Sequence, residues 1–180
     1  MSRLSKPCIM LTVDPSTTAS GYAVFFNGVM KEAGVIKFDD KDINIRVDKM
    51  ILSYAELFTK YKPDICIAEG LTVFNDIKSD SSLSDLCGGL RTLSLLYGAW
   101  FDKLFPVEWR KLIADEDEVI PTKRDDCKPW DIEKAKKYFC IFRTLKISDD
   151  MADALLIGQA YINLFGNDSD AIALDSEKEE

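Results

Sequence analysis

The chain has 180 residues, of which 47% are hydrophobic, and its formal net charge is −8. This length and composition fit one soluble globular domain with a substantial core. Because the sequence contains no histidine, a Ser-His-Asp triad, a histidine general base and histidine-ligated zinc are excluded. Carboxylates are therefore the expected agents of any chemistry.

The negative charge is concentrated at the C-terminal end. Residues 167–180 carry a net charge of −5, and we expect them to form an acidic, disordered tail. Residues 1–166, the expected folded domain, carry only −3, which does not forbid a polyanionic partner. The five cysteines are widely spaced and include no CxxC pair. The sequence also has no apolar run near the roughly 20 residues of a membrane span and no secretory signal. These features predict a cytoplasmic protein.

The first half of the chain predicts a meander of strands followed by a helix and another strand. A turn rich in Ser and Thr separates the first two apolar runs, and Asn27-Gly28 is a strong hairpin signal into the third. Apolar residues then recur at helical spacing until Pro63. The predicted elements are strands near 8–14, 21–27 and 29–37, a helix near 43–60 and a strand at 64–70.

The second half predicts mainly helices. A polar loop is expected at 71–82, followed by a helix with a leucine stripe, in which Gly88 and Gly89 suggest a close packing partner. An acidic and then basic loop is expected between the third and fourth helices. The predicted elements are a helix to about 97, a strand near 102–105 and helices near 106–113, 129–140 and 150–165.

This order predicts an α/β fold with a mixed sheet and flanking helices. Two of the strands end in an acid, Asp14 and Glu69, and Asp150 and Asp153 share one face of the last helix. Taken singly, each acid has a plain explanation as a turn residue, an exposed strand end or a helix cap. Clustered together they would repel one another, and divalent cations with oxygen ligands are the usual compensation. Two such ions can activate water and stabilise the leaving oxygen of a phosphodiester.

Three segments carry a family resemblance. "TVDPSTTASGYAVF", "CIAEG" and "DDMADALLIGQAY" resemble, in order and spacing, the acidic motifs of the RuvC Holliday-junction resolvases, within the RNase H-like and retroviral-integrase superfamily. The resemblance covers residues 8–165 and implies an RNase H-like fold: a five-stranded mixed sheet, with an antiparallel three-strand meander and parallel strands, flanked by helices. It also implies a homodimer whose contact includes the helix with Gly88 and Gly89.

The resemblance implies roles for individual residues. Two Mg²⁺ ions, for which Mn²⁺ can substitute, would be held by four catalytic acids; Asp149 is the near rival of Asp150. The polar loop would contact the junction centre, and the loop at 115–130 resembles that of phage-type relatives. Trp109 and Trp130 are interpreted as packing residues. The implied metal ligands are Asp14, Glu69, Asp150 and Asp153, and the implied DNA contacts are Lys123, Arg124, Lys128, Phe74 and Arg110.

The predicted function is a magnesium-dependent endonuclease that resolves four-way DNA junctions by paired nicks, in a bacterial or phage-infected cell. A related nuclease acting on other branched DNA or structured RNA is the nearest alternative. A junction-binding protein that does not cleave is a second alternative. A more distant one takes "DPSTTASG" as the phosphate-binding turn of an actin-like ATPase, a class that needs two such domains and an adenosine site.

Overall fold

The computed structural model describes residues 8–70, 77–143 and 146–165. Phe74 and the acidic segment 167–180 lie outside these residues, so the predictions made for them stay predictions. The strands are β1 Ile9–Asp14, β2 Ala19–Phe26, β3 Val29–Lys37, β4 Ile65–Glu69 and β5 Trp100–Leu104. The helices are α1 Ile43–Tyr61, α2 Ile77–Tyr97, α3 Pro106–Ile113, α4 Arg124–Tyr138 and α5 Asp149–Phe165, with a 3₁₀ turn at Cys140–Arg143.

In the described part of the chain, the strands form one mixed sheet in the order β3-β2-β1-β4-β5. Strands β1, β2 and β3 are antiparallel neighbours, whereas β4 runs parallel to both β1 and β5. Asn27 and Gly28 have φ values of 49° and 76°, as the predicted two-residue hairpin requires. The predicted α/β class and the five-stranded mixed sheet are confirmed.

Helices cover both faces of the sheet. Because side chains alternate along a strand, Met10 of β1 faces the layer formed by α3, α4 and α5, whereas Leu11 and Val13 face α1 and α2. The same alternation in β4 directs Ile65 and Ile67 toward α5 and directs Cys66 and Ala68 toward α1 and α2. The result is a three-layer domain with a separate apolar core on each side of the sheet.

Two helices begin earlier than the sequence predicted. Helix α2 begins at Ile77, inside the predicted loop at 71–82. Ser82 is buried one turn before Leu86, so the buried face of α2 begins before the leucine stripe. Helix α4 begins at Arg124 rather than near residue 129, because acids in its first turn complement the helix dipole and Pro129 is accommodated inside the helix. Strand β5 likewise begins at Trp100 instead of 102. No helix among the described residues is long and apolar enough to cross a membrane.

Candidate active site

The sheet directs two carboxylates toward α5. Strands β1 and β4 are parallel neighbours in which Val13 pairs with Ala68, so the next residues, Asp14 and Glu69, end the two strands side by side. By the alternation of strand side chains, Asp14 lies on the same face as Met10, and Glu69 lies on the same face as Ile67. Both carboxylates therefore point to the side of the sheet that α5 covers.

The start of α5 lies directly against this end of the sheet. The Thr12 hydroxyl donates a hydrogen bond of 2.7 Å to the carbonyl of Ala154, which ties β1 to α5. Gly21 pairs with Asp14 across β1 and β2. A Cβ atom on Gly21 would lie only 1.8 Å from the carbonyl oxygen of Asp150. The absence of a side chain at Gly21 thus allows the helix that carries Asp150 and Asp153 to approach the strands.

The Ser/Thr-rich turn after β1 fixes the backbone of Asp14. Ser20 donates to the Asp14 carbonyl at 2.8 Å, and its hydroxyl lies 2.7 Å from the hydroxyl of Tyr54, a buried residue of α1. Ser16 Oγ accepts from the backbone N–H groups of Thr18 and Ala19, each at 3.3 Å. Because these groups are paired within the protein, the turn holds Asp14 in a defined position.

The electrostatics of the acids indicate that they share one site. Burial raises the pKa of Asp14 well above its usual value, and the negative charges of Glu69, Asp153 and Asp150 raise it further. The pKa of Asp153 is also raised well above its usual value by burial, and then by the charges of Asp131 and Glu69. Burial raises the pKa of Glu69 and of Asp150. The structure therefore brings together the four acids that the sequence singled out.

The neighbouring acids Asp149 and Asp150 have different surroundings. Asp149 forms an ion pair with Lys128, and the hydrogen bond from that ammonium lowers the pKa of Asp149. Asp150, in contrast, contributes to the raised pKa of Asp14. This difference favours Asp150 as the member of the acidic site, in line with the sequence motif.

The donor set suits a hard divalent cation. All four side chains offer carboxylate oxygens, the ligands that Mg²⁺ and Mn²⁺ prefer. Asp153 Oδ1 is buried and makes no hydrogen bond within the described residues, so one acceptor of this acid is left without a donor. In the same residues, no three acidic or thiol groups already form a coordination cluster. The fit therefore rests on donor chemistry and charge.

Three residues that contact the acidic site were not assigned to it from the sequence. Trp109 Nε1 donates to Glu69 Oε1 at 3.0 Å. Arg110 donates to both carboxylate oxygens of Asp131 at 3.0 and 2.8 Å, and the charge of Asp131 acts on Asp153. Trp109 is a packing residue as predicted, because it is fully buried, but no sequence pattern indicated its bond to Glu69. Nothing in the sequence singled out Asp131, because one acid in a charged helix is usually exposed.

The residues predicted to contact DNA differ in how exposed their side chains are. Lys123 and Arg124 are exposed at the N-terminal end of α4. Lys128 is partly exposed and reaches Asp149 at the start of α5. Only 15% of the Arg110 side chain is exposed, since it is paired with Asp131. Lys37 was not singled out; it ends β3 opposite Ala19 of β2, and its charge lowers the pKa of Asp150.

Among the comparisons with known proteins, only the comparison of structures finds similar proteins. No protein-family model matches the sequence, and no curated protein matches it. The structure is similar to Thermus thermophilus RuvC in complex with a Holliday junction substrate, with a TM-score of 0.68 and 13% identity over 89% of this chain and 95% of that one. A second Thermus thermophilus RuvC structure gives a TM-score of 0.67 at 12% identity, over 88% of this chain and 95% of that one.

The crystal structure of the yeast mitochondrial Holliday junction resolvase is also similar. Its TM-score is 0.57 at 13% identity, over 86% of this chain and 77% of that one. Sequence identities this low establish a common fold and leave the activity to be argued from the site. The chain therefore has the RuvC type of RNase H-like fold that its three acidic motifs implied.

Proposed function

We propose that this protein is a divalent-metal-dependent endonuclease that resolves four-way DNA junctions. The observation that carries the proposal is the convergence of four acids from three separate elements, β1, β4 and α5, at one end of the sheet. The fold shared with two resolvases supports the choice of substrate class. RuvC-family membership is part of the same proposal.

The acids act as ligands, and the sheet supplies their rigidity. Asp14 and Glu69 are the last residues of two hydrogen-bonded strands, which hold side chains more firmly than a loop does. Asp150 and Asp153 approach from the first turn of α5. Two bound Mg²⁺ ions, replaceable by Mn²⁺, would supply activation of water and stabilisation of the leaving 3′-oxygen.

Basic residues beside the acids are suited to contact phosphates. Lys123 is the N-cap residue of α4, Arg124 and Lys128 lie in its first two turns, and Lys128 already pairs with the carboxylate of Asp149. A DNA phosphate could replace that carboxylate as its partner. Such contacts position the backbone without reading sequence, so selectivity would come from the shape of the junction. Arg110, being paired with Asp131, is the least accessible of the proposed contacts.

A homodimer would place two such sites on one junction. Gly89 is explained inside the chain, because a Cβ there would meet Ile51 of α1 at 3.0 Å. Gly88, in contrast, is exposed, and no heavy atom of the described residues lies within 4 Å of its hypothetical Cβ. The exposed apolar side chains of Leu95 (82% exposed) and Leu52 (66% exposed) are on the same pair of helices. This side of the domain therefore supports a contact with a second copy.

The test is cleavage of an end-labelled four-way junction, with linear duplex, a flap and a structured RNA as competing substrates. We expect paired nicks on the junction in Mg²⁺ or Mn²⁺ and none in EDTA. Asp14→Asn should lower the cleavage rate by at least 100-fold while junction binding is retained. The exposed acid Asp48, replaced by Asn, is the matched control and should cleave as the wild type does.

Each alternative has its own outcome. Junction binding without metal-dependent cleavage would replace the enzyme by a binding protein. Faster cleavage of the flap or the RNA would keep the chemistry and change the substrate. If the junction is neither bound nor cut, the substrate assignment is wrong.

A further inference from the structure

Helix α3 connects two of the candidate metal ligands through neighbouring residues. Trp109 contacts Glu69 directly, and Arg110 contacts Asp131, which lies beside Asp153. The two α3 side chains also contact one another, since the Arg110 guanidinium carbon lies 4.3 Å from the centroid of the Trp109 ring. A single short helix is thereby linked to ligands from β4 and from α5.

The Trp109 contact restricts how the Glu69 carboxylate can turn. The indole N–H donates to Oε1 at 3.0 Å, and the ring that carries it is fully buried in the core beside Ile113 and Leu104. An indole N–H is a donor only, so this bond is stronger to the ionised, cation-binding form of the carboxylate than to the neutral form. A donor fixed in this way sets the orientation of the ligand rather than contributing a ligand itself.

The Arg110–Asp131 pair supports the Trp109 indole. Asp131 is only 1% exposed, and both of its oxygens are occupied by the guanidinium in a bidentate arrangement. Buried ion pairs contribute little to stability relative to apolar residues of similar volume, so stability alone is a weak reason for this one. The guanidinium that Asp131 fixes lies over the Trp109 ring, at 4.3 Å from its centroid, and this contact gives the pair a second role.

We propose that Trp109 and the Arg110–Asp131 pair are positioning residues, which hold Glu69 in the orientation that binds a divalent cation. Trp109 acts directly, and the Arg110–Asp131 pair acts through the Trp109 ring. The inference rests on the proposed function, since it concerns the same acidic site. Partners of this kind commonly change metal affinity by roughly 10- to 100-fold when they are removed.

The test measures Mn²⁺ binding to the full chain by isothermal titration calorimetry, without DNA. We expect the Kd of Trp109→Phe to rise roughly 10- to 100-fold, because Glu69 loses its donor. The matched control is Trp130→Phe, which removes the same type of bond, from Trp130 Nε1 to Glu118 Oε1 at 2.9 Å, in another part of the molecule. That variant should bind Mn²⁺ as the wild type does.

A second pair of variants guards against simple misfolding. Arg110→Gln removes the charge and the bidentate bond, whereas Arg110→Lys keeps the charge and loses the planar bidentate geometry. We expect Arg110→Gln to weaken Mn²⁺ binding and Arg110→Lys to restore part of the affinity. A merely structural role would instead lower the melting temperature of Trp109→Phe, Arg110→Gln and Arg110→Lys and leave the Kd of each folded variant for Mn²⁺ unchanged.

A spectroscopic measurement tests the contact itself. The chain has three tryptophans, so the double variant Trp100→Phe/Trp130→Phe leaves Trp109 as the single tryptophan, whose emission can be excited separately from that of the tyrosines. We expect paramagnetic Mn²⁺ to quench the Trp109 fluorescence over the same range of Mn²⁺ concentration in which calorimetry shows binding.

The outcomes separate the inference from the proposed function. If the wild type binds no Mn²⁺, the proposed metal-dependent function fails first. If the wild type binds Mn²⁺ and folded Trp109→Phe and Arg110→Gln bind it equally well, the positioning role is wrong and the proposed function stands.

Discussion

Asp14 is placed where its charge is least favourable. Burial raises its pKa, and the charges of Glu69, Asp153 and Asp150 add to that effect. Because the rigid end of β1 and the hydrogen bond from Ser20 to its carbonyl fix the residue, it cannot relax away from these acids. A cluster of buried acids, if it serves the proposed function, is expected to reduce stability in exchange for that function.

We predict that Asp14→Asn is more stable than the wild type in metal-free buffer. The folded pKa of Asp14 lies above its unfolded value, so its favourable contribution is present below the unfolded pKa and is lost as pH rises through the folded pKa. At pH 7.5 the substitution should therefore raise Tm by about 2–4 °C, the shift that ~1 kcal/mol gives in a domain of this size. Differential scanning calorimetry in EDTA measures it.

The pH dependence supplies the check on this prediction. The difference in Tm should shrink as pH is lowered toward the unfolded pKa of an aspartate, about 3.9. The exposed Asp48→Asn variant should show no such gain. A lower Tm for Asp14→Asn at neutral pH would mean that the ionised carboxylate stabilises the fold, contrary to our view of the site.

At the level of elements, the site depends on how closely α5 approaches β2. The contact is made by backbone on both sides, since a Cβ on Gly21 would meet the carbonyl oxygen and carbon of Asp150 at 1.8 and 2.4 Å. Gly158, further along α5, similarly leaves room for the ring of Phe25. Two glycines thus set the distance between the helix and the sheet.

Gly21→Ala is predicted to destabilise the protein by about 2–3 kcal/mol, the upper range for overpacking, because the opposing atoms are backbone and cannot rotate away. Chemical denaturation measures the loss. The matched control is Gly88→Ala, which adds a methyl group in open space on an exposed helix and should raise the stability of the monomer by up to about 1 kcal/mol. Equal stabilities for the two variants would contradict the close approach of α5.

A second element is held in place by charge. The Lys134 side chain of α4, which is almost fully buried, reaches Asp115 at 2.5 Å and also pairs with Glu118, while Lys137 reaches Asp115 at 2.6 Å. Hydrogen bonds from these two lysines lower the pKa of Asp115 to about 2. The segment after α3 is thereby fastened to α4, which carries the proposed phosphate contacts.

We predict that the stabilising effect of Asp115 disappears in acid. Its folded pKa is lowered, so its contribution is present above the unfolded pKa of about 3.9 and is lost as pH falls toward about 2. Asp115→Asn should have a lower Tm than the wild type at pH 6, and the two should converge near pH 2. A difference that stays constant between pH 6 and pH 3 would rule out this ionic link.

The strands and the four acids could be predicted because they depend on local patterns. An apolar run that ends in an acid, repeated at Asp14 and Glu69, and the i, i+3 spacing on α5 are visible in the sequence. Their convergence also depends on the adjacency of β1 and β4, which the sequence pattern does not specify and the sheet order provides.

The contacts around the acids could not be predicted in this way. The bond from Trp109 to Glu69 joins residues 40 positions apart, and nothing in the local pattern of α3 reveals which indole finds a carboxylate. The start of α4 was placed too late because the helix includes a proline and lacks an apolar stripe that marks its beginning. Both the bond from Trp109 to Glu69 and the start of α4 depend on tertiary packing, which the local sequence does not reveal.

At the scale of the whole molecule, the proposed function requires two active sites that face opposite strands of one junction. Paired nicks within a single binding event need a dimer, and the exposed side of α2 around Gly88 is the proposed contact. A monomer would instead cut one strand and leave the junction unresolved.

We predict that Gly88→Arg converts the dimer into a monomer without unfolding it, because the residue is exposed and its surroundings within the described part of the chain are open. Sedimentation should show a change from about twice the chain mass of 20.3 kDa to that mass, with an unchanged circular dichroism spectrum. Paired cleavage of the junction should fall at least tenfold, while occasional single nicks persist. The control Glu133→Arg, on the exposed face of α4, should remain a dimer. A wild type that sediments as a monomer and still makes paired nicks would show that the junction itself recruits two copies, and the face around Gly88 would then have no part in assembly.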